Sequence, residues 1–269
     1  MTARLLESKP AIVTGGGTGI GLAIAARLVE LGAQVAITSR AEEHLEEGGR
    51  LLRERTGSDV LTVASNVRDP DSVSAMVDRV ATQLGSPTIL VNNAAANFVC
   101  RAEALSPNGW RAIQETVLWG TWFCSTAVAP HMFNAGGGVI CNILSTVAIS
   151  GAAGRSHSAS AKAGVASLTK SLGVEWADRA VRVVAVAPGP VDTPGSRQSV
   201  WGDGADDISS HLPMQRMADP AEIARAVGFL CSPDASYVNG ETLVVDGGAW
   251  LAGATYGPGL QDEPNRSKS

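Results

Sequence analysis

Three side chains in the second half of the chain have the types and spacing of a small reaction centre. Ser158 and Lys162 stand four residues apart in Ser158-Ala159-Ser160-Ala161-Lys162, a segment of helical periodicity, so both project from one face of a helix. Ser145 comes just after a run of strand-forming residues, Gly138 to Ile143. An ammonium beside two hydroxyls can hold a diol or a developing oxyanion by hydrogen bonds. Serine is too weak an acid to deliver a proton in the transition state, which limits Ser145 and Ser158 to hydrogen bonding. Each serine also fits an ordinary strand end or helix cap; the nearby lysine favours chemistry.

A second constellation opens the chain. The first apolar run, Ala11 to Thr14, leads into Thr14-Gly15-Gly16-Gly17-Thr18-Gly19-Ile20-Gly21 and then a helix-length segment ending near Leu31. Glycines at this place let the main chain turn tightly and approach a pyrophosphate, whose charge is met by free amides at the helix start. Gly15, Gly17, Thr18, Gly19, Ile20 and Gly21 are the expected cradle. A lone glycine cluster is weak; between the first strand and first helix of a βαβ unit it points to a dinucleotide. The next strand ends Ile37-Thr38-Ser39-Arg40, with no acid before Glu42. A carboxylate there would accept from an adenosine 2′-hydroxyl, whereas a guanidinium pairs with a 2′-phosphate through two parallel bonds. Ser39 and Arg40 therefore favour NADPH over NADH, although a solvated arginine at a helix start would read the same way.

These residues need a scaffold that brings strand ends and helix starts together, and the pattern supplies one. Short β-rich runs (Ala11–Thr14, Gln34–Thr38, Val60–Ala64, Thr88–Val91, Gly138–Ile143, Val181–Ala187 and Thr242–Val245) alternate with amphipathic, helix-length segments. Strands separated by helices predict right-handed crossovers and one doubly wound, seven-stranded parallel α/β sheet of the Rossmann type, covered on both faces. No linker divides it, so residues 1–250 read as one domain and 251–269 as a fraying tail rich in Gly, Pro and charge. Asp192 to Ala218, rich in Gly, Asp and Ser, reads as a loop over the substrate.

Composition narrows the function further. The 269 residues are 45% hydrophobic and 17% charged, with a net charge of −5 and no basic stripe, which speaks against a nucleic-acid or anionic-lipid partner. No apolar run is long enough for a membrane span, and the first ten residues lack the apolar stretch of a signal peptide, so a cytoplasmic location is expected. Cys100, Cys124, Cys141 and Cys231 lack ligand spacing and the four histidines are scattered; reduced thiols and no metal site are expected.

The ordered set Thr14-Gly15-(x)3-Gly19-Ile20-Gly21, Asn92-Asn93-Ala94-Ala95, Ser145, Lys162 and Pro188-Gly189-Pro190-Val191-Asp192-Thr193 resembles the short-chain dehydrogenase/reductase family over about Lys9 to Trp250. The resemblance implies that Gly15, Gly19 and Gly21 line the pyrophosphate and that Arg40 meets the 2′-phosphate. It places Asn66 and Val67 at the adenine and Asn93, Ala94 and Ala95 beside the adenosine ribose. It puts Lys162 on the nicotinamide ribose and gives the carboxamide to Pro188, Gly189, Val191 and Thr193. It also implies a homotetramer assembled through the long helices around Ser106–Asn134 and Ser158–Arg179. Asn92 to Phe98, Ala104 to Asn108, Ser158 to Gly164 and Asp246 to Trp250 are similar, more narrowly, to 2,4-dienoyl-CoA reductases. The wider family carries Tyr four residues before its lysine; here that position is Ser158, and this subgroup also lacks the tyrosine.

That loss has a chemical rationale. A carbonyl reductase must protonate an alkoxide as hydride arrives, so an acid has to touch the carbonyl oxygen. A dienoyl thioester takes hydride at the far end of its conjugated system, charge collects on the thioester oxygen, and protonation follows at carbon; donors around the oxygen are needed, but no phenol. Val147 and Val117 stand where relatives carry a tyrosine and an asparagine or aspartate, and Glu115 is two residues out of place. Losing one such donor costs about 3 kcal/mol, on the order of a hundredfold in rate. Ser145, the Trp119 indole or His157 are the available substitutes, and Phe98, Trp119, Val147 and His157 are the expected substrate-side residues. The leading expectation is an NADPH-dependent reductase of a conjugated acyl thioester. The alternatives are a reductase of another enone or ketone, suited to the apolar Val117, Trp119, Trp122 and Val147, and a silent dinucleotide-binding protein.

Overall fold

The computed structural model describes residues 4–197 and 205–253. Seven parallel strands form one sheet in the order β3-β2-β1-β4-β5-β6-β7. They are β1 (Pro10–Thr14), β2 (Gln34–Ser39), β3 (Leu61–Ala64), β4 (Ile89–Asn92), β5 (Gly138–Ile143), β6 (Val181–Pro188) and β7 (Thr242–Val245). Each strand departs from its expected span by no more than a residue or so at either end, because short Val- and Ile-rich runs between turn residues leave little choice.

Alternate residues of the strands feed two layers. Ala11, Val13, Val35, Ile37 and Val91 face α1 (Gly19–Glu30) and α10 (Pro220–Cys231), which pack along each other. Ile12, Ala36, Leu90, Ile140 and Val183 face α3 (Pro70–Leu84), α5 (Gly120–Asn134) and α7 (Ser156–Glu175). Helix α2 (Glu42–Thr56) covers the outer strands on the first side. Strand order reverses between β1 and β4, so the crevice beyond their carboxyl ends is the place where such a sheet holds a ligand.

The long segment expected as one helix from Ser106 is interrupted. Helix α4 (Pro107–Gln114) passes through a π-helical turn, Glu115–Trp119, into α5. Such turns are uncommon and concentrate at functional sites. In the Asp192–Ala218 loop the described part holds α8 (Pro194–Ser196) and α9 (Ala205–His211); Val200 and Trp201 lie outside the described residues, as do residues 254–269 of the tail. Ile208, Leu212 and Met217 close over Val147 and Ala249, with α6 (Val147–Ser150) beneath. No described helix is long and apolar enough to cross a membrane.

Candidate active site

The glycine-rich turn is shaped by contacts that exclude any side chain. Gly15 and Gly19 take φ of +63° and +52°, where other residues are strained. A Cβ on Gly21 would lie 2.1 Å from Gly15 O and 2.5 Å from Asn93 Nδ2, so only glycine lets the first turn of α1 come this close to the strand ends. Thr18 occupies the N-cap of α1 without a side-chain capping bond, and the first turn carries no acid. The leading amides of α1 are thus left for an anion.

A cleft of 740 Å³ opens over this turn, lined by Gly15 and Thr18 to Gly21. From the end of β2 it is bordered by Thr38, Ser39 and Arg40, and from α2 by His44. Residues after β3 and β4 complete the near wall: Ser65 and Val67, then Asn93 to Asn97. Arg40 is exposed and has no acidic partner among the described residues, while the Thr38 hydroxyl is buried without a hydrogen-bond partner. A cradle only glycine allows and unclaimed helix amides fit a dinucleotide, with a guanidinium on the rim.

Not every expected cradle residue faces this cleft. Gly17 is buried against α2, where its Cβ would meet His44 O at 2.2 Å, so its smallness admits a helix rather than a phosphate. Asn66 turns its Oδ1 to the Arg68 amide at 3.2 Å and is absent from the lining; neighbouring Val67 is present and presses on Gly120. Among the last group, Thr193 lines the cleft, and its hydroxyl accepts from Ser196 N at 3.0 Å in the capping box of α8. Pro188, Gly189 and Val191 support that segment from behind; a Cβ on Gly189 would lie 2.6 Å from Asp246 Cβ.

The candidate reaction centre, outside the lining of that cleft, lies where β5 meets α7. Lys162 is buried, and its Nζ donates to Ile143 O, the last carbonyl of β5. Burial without a carboxylate partner holds its pKa down to about 8. Ser158, one turn earlier, is buried and its Oγ has no partner among the described residues. Ser145, half-buried, follows β5, and its Oγ lies 3.5 Å from the Val147 amide. His157 is fully buried, stacked on Phe98 with centroids 4.4 Å apart and an interplanar angle of 28°. The main chain there is pinned by Gln114, whose Nε2 donates to His157 O at 2.9 Å.

The substrate-side expectations divide. Phe98 stacks on His157, the residue before Ser158, and Val147 packs near Ala159 of the same helix, whereas Trp119 is half exposed; none of the four is in the cleft lining. Val117 is buried among Ile113, Leu144 and Ala161, and Glu115 is bound to Arg68, so neither offers a donor. Thr116, in the π-turn, lines the cleft although nothing in the local pattern marks it. Ala96, Asn97, His44 and Pro194 to Ser196 do so as well. Their sole sequence signal is adjacency to residues that carry motifs.

Comparisons with known proteins identify the family. A family profile described as enoyl-(acyl carrier protein) reductase matches residues 15–249. A Bacillus subtilis protein described as a probable 2,4-dienoyl-CoA reductase producing (2E)-enoyl-CoA is 41% identical over 91% of this chain and 98% of its own. The peroxisomal 2,4-dienoyl-CoA reductase of Danio rerio, producing (3E)-enoyl-CoA, is 39% identical over 93% of this chain and 84% of its own. Among solved structures, a short-chain dehydrogenase from Bacillus anthracis superposes with a TM-score of 0.83 at 39% identity, covering 91% of this chain and 98% of that one. The chain is an oxidoreductase and belongs to the short-chain dehydrogenase/reductase family.

Proposed function

We propose that the protein is an NADPH-dependent reductase of 2,4-dienoyl-CoA thioesters. The carrying observation is a lysine buried beside serines where a carbonyl reductase needs a phenol. The chain has two tyrosines; Tyr237 is fully exposed at the amino end of the sheet, away from the cleft, and Tyr256 lies outside the described residues. A centre built this way suits hydride delivery to a distant carbon, with protonation at carbon afterwards. The names carried by the relatives from B. subtilis and D. rerio point to the same substrate.

The residues fit the cofactor as follows. Thr18 to Gly21 would hold the pyrophosphate, Arg40 and Ser39 the 2′-phosphate, and Lys162 the nicotinamide ribose. Reduced nicotinamide held there supplies the hydride. Ser145 and Ser158 hydrogen-bond at the mouth of the reaction centre, and Val147 with Leu212 and Met217 keeps it apolar. Low polarity strengthens each hydrogen bond to the charge that develops on the thioester oxygen.

We further read the chain as self-associating. Trp110, Trp119 and Trp122 are 42%, 50% and 49% exposed along α4, the π-turn and α5. Such apolar area is usually covered by another subunit. Sedimentation of the purified protein measures the state directly, with a tetramer expected.

The deciding experiment measures NADPH oxidation with a 2,4-dienoyl-CoA, a 2-enoyl-CoA and simple ketones in parallel. Turnover confined to the dienoyl thioester is the expected result, and the product's double-bond position reports which carbon takes the proton. Ketone reduction with an inert dienoyl-CoA overturns the proposal.

A further inference from the structure

His157 sits second in α7, fully enclosed, and neither ring nitrogen has a hydrogen-bond partner among the described residues. Buried imidazoles ordinarily find partners for both nitrogens, because a neutral ring presents one donor and one acceptor. Burial pushes the pKa of the ring below its ordinary range, against an upward pull from the Phe98 main chain, and so favours the neutral form. A neutral imidazole keeps one N–H, a better donor than a serine hydroxyl that must choose among acceptors.

Two features make this a prepared site rather than a packing accident. The main chain beneath the ring is fixed twice at one oxygen, by Gln114 Nε2 at 2.9 Å and by Ser160 Oγ at 3.1 Å. The cover over the ring is a single side chain: Phe98 follows Ala96 and Asn97 of the cleft wall in an irregular stretch, is partly buried, and packs on the Val117 cluster and towards Gly109 of α4. The main chain of the ring is therefore fixed, and its cover adjoins the cleft wall.

Resting on the dienoyl-CoA reading, we propose that His157 is the oxyanion donor of this active site. Its ring N–H hydrogen-bonds the substrate's acyl carbonyl oxygen once the incoming acyl chain displaces Phe98. The imidazole thereby takes over the task left open by Val117 and Val147, whose side chains offer no donor. Neither hydride nor proton passes through the ring; it stabilises charge on the oxygen while protonation occurs elsewhere.

The test compares His157→Phe and His157→Gln with wild type. The phenylalanine variant keeps the stack on Phe98 and removes two unsatisfied nitrogens, so its thermal midpoint is expected to match or exceed wild type. NADPH affinity should stay within about twofold, while kcat with dienoyl-CoA falls on the order of a hundredfold, the usual worth of one oxyanion donor. Glutamine, with an amide N–H, should recover part of the rate. In ¹⁵N-histidine-labelled protein holding NADP⁺, adding enoyl-CoA should shift the ring resonance that vanishes in His157→Phe. Turnover by His157→Phe within about threefold of wild type, or a ring resonance indifferent to enoyl-CoA, overturns the inference. Wild-type protein inert towards dienoyl-CoA would instead count against the reductase reading, and the resonance would still decide what the imidazole binds.

Discussion

Asn93 donates from its side-chain amide to Thr14 O at 3.0 Å and Gly15 O at 3.1 Å, fastening the glycine-rich turn to the end of β4. Thr14 Oγ1 returns the contact, accepting from the Asn93 and Ala94 amides at 3.0 Å each. The phosphate cradle is therefore held in shape by a side chain that itself need touch no phosphate. Asn93→Ala leaves two carbonyls short of a donor, and each neutral hydrogen bond is worth about 1 kcal/mol. NADPH affinity measured by calorimetry should fall on the order of tenfold. Asn66→Ala, whose side chain serves its own loop, should change it far less.

The proposed preference for NADPH rests on Arg40. It stands exposed on the cleft rim without an acidic partner among the described residues, and a charge-assisted pair with a 2′-phosphate is worth about 1.5 to 3 kcal/mol. Arg40→Ala should weaken NADPH about tenfold to a hundredfold while leaving NADH nearly unchanged. The NADPH preference of wild type should also shrink as salt is raised, because the pair is solvent-exposed. Equal losses for both dinucleotides would place the guanidinium elsewhere.

Lys162 gives the stability a distinctive pH dependence. Its folded pKa is depressed from 10.5 to about 8 by burial, so between those values the unfolded chain binds more protons than the folded one. Stability of the cofactor-free protein should therefore rise with pH across that window and carry the full penalty below about pH 8. In Lys162→Met that rise should disappear and the midpoint at pH 7 should increase, whereas NADPH binding is lost. Thermal melts from pH 7 to 10.5 on both proteins check the sign.

Ser158 separates chemistry from packing. Its Oγ has no partner among the described residues, so Ser158→Ala should leave the thermal midpoint unchanged or slightly higher, alanine being the better helix former. If the hydroxyl serves the substrate, kcat should drop about fivefold to tenfold, the worth of one neutral hydrogen bond. Lower stability with unaltered turnover would make the serine structural.

Much of this was readable from residues in order. All seven strands lie close to their expected spans, because buried parallel strands are short, β-branched and bounded by turn residues. The cleft could be located because glycine leaves an unmistakable mark when backbone approaches backbone, as at Gly15 and Gly21. Distance in the chain hid the rest. Nothing near Gly17 announces that His44 O lies against it, and nothing near Thr116 announces a π-turn. Trp119 suits an oxyanion by its indole N–H, and nothing in its neighbours foretold that the π-turn would leave it half exposed. Phe98 and His157, 59 positions apart by their numbering, could be grouped by motif but not stacked without coordinates.

Asn92 and Asn142 face each other in register across β4 and β5, Asn92 Nδ2 donating to Asn142 Oδ1 at 2.9 Å. Asn92 Nδ2 also reaches Ser125 on α5 at 3.1 Å, and Asn142 Nδ2 reaches Thr169 on α7 at 2.9 Å. Sliding β5 by one residue would set Cys141 or Ile143 opposite Asn92 and strand the two amides in a dry interior. The two amides thus act as a notch that permits a single alignment. Ile143 O and Ser145 ride on the strand so indexed, and the anchorage of Lys162 inherits its accuracy from a pair of asparagines that never meet the substrate.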